Sequence, residues 1–280
     1  MKRKKPNVDD FEALVAQLLR AKKYRAVGVT EQTVRDILRT ELERQPNVKA
    51  ALHVARRKLH EVVALYLGDP DYDAAEAKLH TACASGNADA IRATCAAIME
   101  QHHSTRERLP LLDAFYPRIW QVTGKPRAVL DLACGLNPLA LPWMDLPPEA
   151  RFYAYELHKR RAQFLARTLE WLGVAGGAWA RDILVQPPAE RGDVALLLKE
   201  IHRMEKRRRG IVLPLLDALD VRWIVLSSPT RSRSGRRAMK EIYRQQVHAI
   251  LAARPWRVVE LDFTGELVYC VEKSPESGAD

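Results

Sequence analysis

The stretch VLDLACGLNPLALPW, residues 129–143, is two apolar runs divided by a turn. The first run carries Asp131 near its end, and Cys134, Gly135, Asn137 and Pro138 follow before the second begins. A short apolar run bounded by turn residues has the signature of a buried strand. Gly135 then falls at the carboxyl end of that strand, where the chain must turn sharply. A residue without a Cβ leaves room there for a ligand to approach the backbone.

Further strand signals lie downstream. They are AVLDLACG (128–135), RFYAYELH (151–158), DVALLLKE (193–200) and VRWIVLSS (221–228), with WRVVELDF (256–263) and ELVYCVEK (266–273) as a closing hairpin. Helical stretches separate them, among them RRAQFLARTLEWLG (160–173) and IVLPLLDAL (211–219). Strands alternating with helices at this spacing predict an α/β fold. Its sheet is mostly parallel and Rossmann-like, covered on both faces and closed by an antiparallel pair.

The first third of the chain shows no strand pattern. Phe11, Leu14, Val15, Leu18 and Leu19 recur at helical spacing over 9–25. Thr30 is placed to cap a helix whose apolar face is Val34, Ile37, Leu38 and Leu42. NVKAALHVARRKLHEVVALYLG gives a third helix ended by Gly68, and two or three shorter ones fill 71–101. The expected division is a basic helical domain over 1–101 and an α/β domain over 102–280.

The 280 residues carry a formal net charge of +10, and residues 1–60 hold 15 Lys or Arg against 7 Asp or Glu. Such a balance favours nucleic acid as partner. Arg20, Lys22, Lys23 and Arg25, with Arg56, Arg57 and Lys58, are the candidate phosphate contacts of the helical part. Two more basic runs, HRMEKRRRG (202–210) and TRSRSGRRAMK (230–240), follow strands on the side where such folds bind ligands. Cys83, Cys95, Cys134 and Cys270 have no zinc or disulfide spacing, so no metal is expected and the compartment is read as the cytoplasm. No apolar run reaches membrane-spanning length, and the basic start MKRKKPNVDD lacks the apolar segment of a secretory signal.

The turn after the first strand lacks both the dinucleotide glycine spacing and a phosphate loop, so its ligand has no pyrophosphate to cradle. Asp131 is placed to meet a ligand ammonium or to order the turn. Glu156 closes the second strand about 20 residues past the turn, where an acid takes both hydroxyls of a ribose. Asp182 stands where a carboxylate reads an adenine amino group. Together they describe an adenosyl ligand without phosphates, which is S-adenosylmethionine. Trp143 is open to two roles, covering a base near the cofactor mouth or packing in the core.

HHSTRERLPLLDAFYPRIW (102–120), VLDLACGLNPLALPWM (129–144), YAYELH (153–158), LLLKEIHRME (196–205) and SSPTRSRSGR (227–236) together resemble one family. It is the aminoglycoside-resistance 16S ribosomal RNA methyltransferases that modify N7 of guanine 1405 in the decoding site. The resemblance implies a class I S-adenosylmethionine-dependent methyltransferase fold and a monomer acting on 16S rRNA within the 30S subunit. It implies that Arg108 holds the cofactor carboxylate, Gly135 lies against the methionine part and Glu156 binds the ribose. Asp182 and Ile183 would then flank the adenine. Lys199 is implied to act near the target nucleotide, and Arg231 and Arg236 to contact RNA. The family has aspartate where this chain has Glu156, proline at His202, and leucine and glycine at Arg233 and Ser234. These departures fall mostly on the RNA side. They leave open methylation of another base, such as adenine N1, and a ribosome-binding factor without catalysis.

Overall fold

The computed structural model describes residues 8–21, 30–63, 69–231 and 238–273. Among them, seven strands share one sheet: β1 (Ala128–Leu132), β2 (Arg151–Glu156), β3 (Ala175–Ala180), β4 (Gly192–Leu198), β5 (Val221–Pro229), β6 (Arg257–Phe263) and β7 (Glu266–Glu272). Their order is β3-β2-β1-β4-β5-β7-β6. The first five run parallel, and β7 inserts antiparallel between β5 and β6. The closing hairpin therefore stands where the sequence puts it.

Alternate strand residues go to opposite faces. Val129, Phe152, Val194, Val225 and Cys270 join one apolar cluster. It is covered by α4 (Tyr72–Ala84), α5 (Ala88–Met99), α7 (Leu112–Thr123) and α9 (Lys159–Trp171). Leu130, Tyr155, Ala195, Ile224 and Val271 face the other way. There they meet α10 (Ile201–Arg207), α11 (Val212–Ala218) and α12 (Lys240–Leu251). Burial on both faces is why β1, β4 and β5 read as mostly apolar runs. Two short helices remain: α6 (His103–Arg108), just before α7, and α8 (Leu141–Met144), after the β1 turn.

The helices of the front part pack into two different apolar clusters. α1 (Val8–Leu19), α2 (Glu31–Arg44) and α3 (Val48–Val63) enclose their own cluster of Val15, Leu18, Val34, Ile37, Leu38, Ala55 and Leu59. Tyr72, Leu79, Cys95, Ile98 and Met99 from α4 and α5 instead pack into the sheet's first cluster. The boundary drawn by packing thus precedes α4. Thr30 caps α2 as its sequence position predicts, its hydroxyl accepting from the Thr33 N–H at 3.3 Å. No helix among the described residues is long and apolar enough to cross a membrane.

Two elements escape the sequence pattern. AGGAWA gives no apolar alternation, yet it pairs with β2 along its whole length as the edge strand β3. Gly176 makes this possible: its φ is 124° and a Cβ there would lie 2.0 Å from the Phe152 carbonyl oxygen. α12 buries only Val247 and Leu251, too thin a stripe to stand out beside the basic run preceding it. The Phe152 clash yields a test. Gly176→Ala should cost about 2 kcal/mol or more of stability, read as a lower denaturant midpoint of unfolding. An unchanged midpoint would mean that β3 does not depend on this close approach.

Candidate active site at the carboxyl edge of the sheet

Because β1, β2 and β4 are parallel, their carboxyl ends open on one edge. A cavity of about 310 Å³ lies there, lined among others by Arg108, Asp131, Gly135, Glu156, Asp182 and Ile183. The tertiary structure thus gathers all six sequence-predicted cofactor residues around one space. The turn that bounds it is tightly made. Ala133 and Gly135 adopt left-handed φ values of 49° and 57°. A Cβ at Gly135 would stand 3.3 Å from the His102 ring, so alanine there is both strained and crowded.

A chain of buried polar groups runs behind this wall. Asn137 is its joint: its Nδ2 donates to Asp131 Oδ2 at 2.9 Å. Its Oδ1 accepts from Arg108 Nη1 at 3.0 Å and from the Tyr116 hydroxyl at 2.7 Å. Arg108 also donates from Nε and Nη2 to Glu266 at 3.2 and 2.7 Å. Glu266 in turn accepts from the Ser227 hydroxyl at 2.6 Å and pairs with Lys199 Nζ at 3.2 Å. Lys199 reaches Glu107 as well, at 2.8 Å. Burial disfavours the charge on Glu266, but Arg108 and Lys199 outweigh it and hold its carboxyl below the usual range.

Two residues of this chain also line the cavity. Asp131 Oδ1 is buried and has no partner among the described residues. Burial pushes the Asp131 carboxyl up to about 8, against the opposing pull of Asn137 and Arg108. Arg108 uses three of the five N–H donors that a guanidinium offers, on Glu266 and Asn137, which leaves two. An unpaired acceptor and a guanidinium with two spare donors, joined through Asn137, could hold the ammonium and carboxylate of an α-amino acid. The methionine part of S-adenosylmethionine fits it.

Glu156 and Asp182 are less free than the sequence suggests. Glu156 accepts from the backbone N–H groups of Gly135, Leu157 and His158 at 3.0, 2.7 and 3.0 Å. It accepts from Arg161 Nη1 at 3.0 Å as well. Those donors lower its pKa despite burial, and they fill about four lone-pair sites, all that a carboxylate has. Glu156 therefore clamps β2 to the glycine turn, and a ribose has to displace one donor to be held there. Asp182 accepts from Thr33 Oγ1 at 2.7 Å, Arg207 Nη2 at 2.8 Å and the Leu184 N–H at 3.1 Å. Ile183, beside it, is buried.

The expected RNA-side residues scatter. Arg20, Arg57 and Arg231 are exposed. Arg56 is exposed too and has a partner of its own. Lys58 is committed to Glu41 at 2.8 Å and to the Arg207 carbonyl at 2.5 Å, so it joins α3 to α10. Lys199 does not line the cavity. It sits at φ 62°, its N–H held by the Ser227 hydroxyl at 3.0 Å, and its ammonium lies within the ionic cluster. Trp143 packs against the first apolar cluster under the Arg92 guanidinium, 4.9 Å from its ring, which favours the core role. Lys22, Lys23, Arg25, Ser232, Arg233, Ser234 and Arg236 fall outside the described residues. Sequence reasoning missed Asn137, Glu266 and Thr33. Asn137 stood in the quoted CGLNP turn without a role, and Glu266 looks like an ordinary hairpin residue. Thr33 looks like no more than a second threonine at a helix start.

A sheet of this order, with a glycine turn after β1, an acid closing β2 and an amino-acid receptor behind the turn, defines a class I S-adenosylmethionine-dependent methyltransferase. Residues 20–270 match the family model described as ribosomal RNA methyltransferase (FmrO). The chain belongs to that family. It is 34% identical over 269 residues to the 16S rRNA (guanine(1405)-N(7))-methyltransferase of Micromonospora echinospora, covering 95% of this chain and 97% of that one. The Serratia marcescens enzyme of the same name is 32% identical over 273 residues, 96% of this chain and 99% of its own. Among solved structures, 16S rRNA methyltransferase RmtF in complex with S-adenosyl-L-homocysteine superposes with a TM-score of 0.74 at 30% identity, covering 94% of this chain and 98% of that one.

The elevated Asp131 carboxyl predicts a pH dependence. Below pH 7 it is mostly neutral and a poor partner for an ammonium; ionisation through about 8 creates the partner. Affinity for S-adenosylhomocysteine should therefore rise from pH 6 towards pH 8.5, with proton release on binding near neutrality. Calorimetry in buffers of different ionisation enthalpy measures both. Asp131→Asn should bind more weakly and lose the slope. A wild-type affinity independent of pH across that window would contradict the role of Asp131.

Proposed function

We propose that the protein transfers the methyl group of S-adenosylmethionine to N7 of guanine 1405 in the 16S rRNA decoding site of the 30S subunit. The modification would confer resistance to aminoglycosides that bind there. The observation that carries the cofactor half is the orphaned Asp131 oxygen joined through Asn137 to the two spare Arg108 donors. The rRNA half rests on the family match and on its relatives' named activity.

The cofactor supplies an electrophilic methyl on a sulfonium. Guanine N7 has a lone pair and no proton at neutral pH, so the protein needs no general base. His102, which stands over the glycine turn, is brought down to about 4 mainly by burial and by Arg161, and is neutral at pH 7. Catalysis then consists of positioning and fixed charge. Arg108 and Asp131 orient the amino-acid end, and Glu156 and Asp182 the adenosine end. Lys199 neutralises Glu266 and so keeps Arg108 aimed. The target base must leave its stack to reach the cavity.

The α1–α3 unit is the natural RNA-contacting module, since it is basic and packs separately from the sheet. Structured RNA is read chiefly through backbone and shape, which basic helices can supply. Binding should be steeply salt-dependent. The acting form is taken to be a cytoplasmic monomer.

The direct test offers labelled S-adenosylmethionine with 30S subunits, 50S subunits and protein-free 16S RNA. Label should appear only in 30S, at one decoding-site guanine, cleavable after borohydride and aniline as an N7-methyl product is. Arg108→Ala should weaken S-adenosylhomocysteine binding by at least about tenfold, or roughly 1.4 kcal/mol. Label on an adenine would move the chain to another base specificity. Cofactor binding without label in any RNA would leave a ribosome-binding factor.

A further inference from the structure

The helical unit forms part of the cofactor cavity. Val62 of α3 lines the space alongside Asp182, Ile183 and Arg207. Thr33, fully buried in the first turn of α2, donates its hydroxyl proton to Asp182 Oδ2 at 2.7 Å. With that proton committed, its 2.9 Å contact to Thr30 Oγ1 is one in which Thr33 accepts. A relay Thr30–Thr33–Asp182 thus runs from the N-cap of α2 into the cavity wall. It sets a carboxylate beside the N-terminal turn of a helix, where the dipole favours negative charge.

The same side chain is braced from a second direction. Arg207 Nη2 reaches Asp182 at 2.8 Å and Asp36 of α2 at 2.7 Å. Arg208 meets the other oxygen of Asp36 at 3.2 Å, and Lys58 of α3 donates to the Arg207 carbonyl at 2.5 Å. Lys206 pairs with Glu61 of α3 at 3.2 Å. These contacts between the helical unit and the catalytic domain are polar, and Thr33 and Arg207 bring two of them to Asp182.

We infer that Thr33 is a positioning residue for the cofactor: its hydroxyl fixes Asp182 at the adenine end of the cavity, so that cofactor binding and the seating of the RNA-contacting helices form one coupled event. This rests on the reading of Asp182 as the adenine-side acid. Coupling of this kind is reciprocal. A cofactor that engages Asp182 tightens the hold on α2, and α2 seated on RNA presents Asp182 ready for cofactor. Thr33 belongs to the helical unit and does not line the cavity, so it acts only through Asp182.

The full-length protein tests this with S-adenosylhomocysteine as probe. Thr33→Val keeps shape and loses the donor. It should weaken binding about tenfold, the scale of one hydrogen bond to a charged group, while Thr33→Ser restores it. In turnover on 30S subunits, Thr33→Val should raise KM for S-adenosylmethionine with kcat at saturation little changed, which a general loss of fold would not produce. In the wild type, S-adenosylhomocysteine should slow amide exchange within Glu31–Arg44, and this protection should vanish in Thr33→Val. Asp182→Asn is the reference arm. If it weakens binding and Thr33→Val does not, Thr33 has no positioning role. If Asp182→Asn binds like wild type, the adenine assignment fails and the inference falls with it. Should Thr33→Val melt out of range, the wild-type exchange decides alone: no added protection in α2 overturns the coupling.

Discussion

The buried ion pair between Arg108 and Glu266 ties the site together. Both side chains are almost wholly removed from water, at 2% and 1% exposure. Burying two charges is costly, and the cost is offset only where geometry is good and the remaining lone pairs and protons are used. Here most of them are: Asn137 takes one Arg108 donor, and Ser227 and Lys199 serve Glu266, while two Arg108 donors remain. The pair connects α6 to the start of β7, and through Asn137 and Lys199 to the ends of β1 and β4. Removing either partner would strand the other charge, a loss of about 3–5 kcal/mol.

Three of the left-handed residues lie beside that wall. Ala133, Gly135 and Lys199 all have left-handed φ values, and all stand at the carboxyl ends of β1 and β4. Only Gly135 adopts such a conformation without cost. Ala133 precedes Cys134, whose N–H is held by the Tyr155 carbonyl at 3.0 Å, and Lys199 is held by Ser227. Backbone strain of this kind persists when the surroundings over-determine it, and such positions cluster at working sites. At Lys199 the strain turns the side chain into the Glu107–Glu266 cluster. This joins the lysine to the ionic wall.

The helical front has two parts with different work. α4 and α5 are covering helices of the sheet. Arg160 of α9 ties it to α4 through Glu76 at 2.6 Å, and Arg161 donates from Nε to the Tyr72 hydroxyl at 3.0 Å. α1–α3 have a small core of their own and meet the catalytic domain through charged and hydroxyl contacts at Asp36, Lys58 and Thr33. Polar contacts of this sort hold a position while allowing it to depend on what is bound nearby.

The sequence alone determined the α/β class, the closing hairpin, the cap at Thr30 and the family, because these are local signals. Apolar period, turn residues and short conspicuous blocks lie within a few residues of one another. It also named six of the residues that line the cavity. Tertiary structure decided what those residues hold. Asp131 is singled out by a burial that raises its pKa, Arg108 by Glu266, 158 positions away, and Asp182 by Thr33, 149 positions away. The edge strand β3 forms because Gly176 admits the Phe152 carbonyl, a contact that no pattern in AGGAWA announces. Pairings between distant segments leave no periodic trace in the chain, so the partners of a buried charge become visible only once the fold has brought them together.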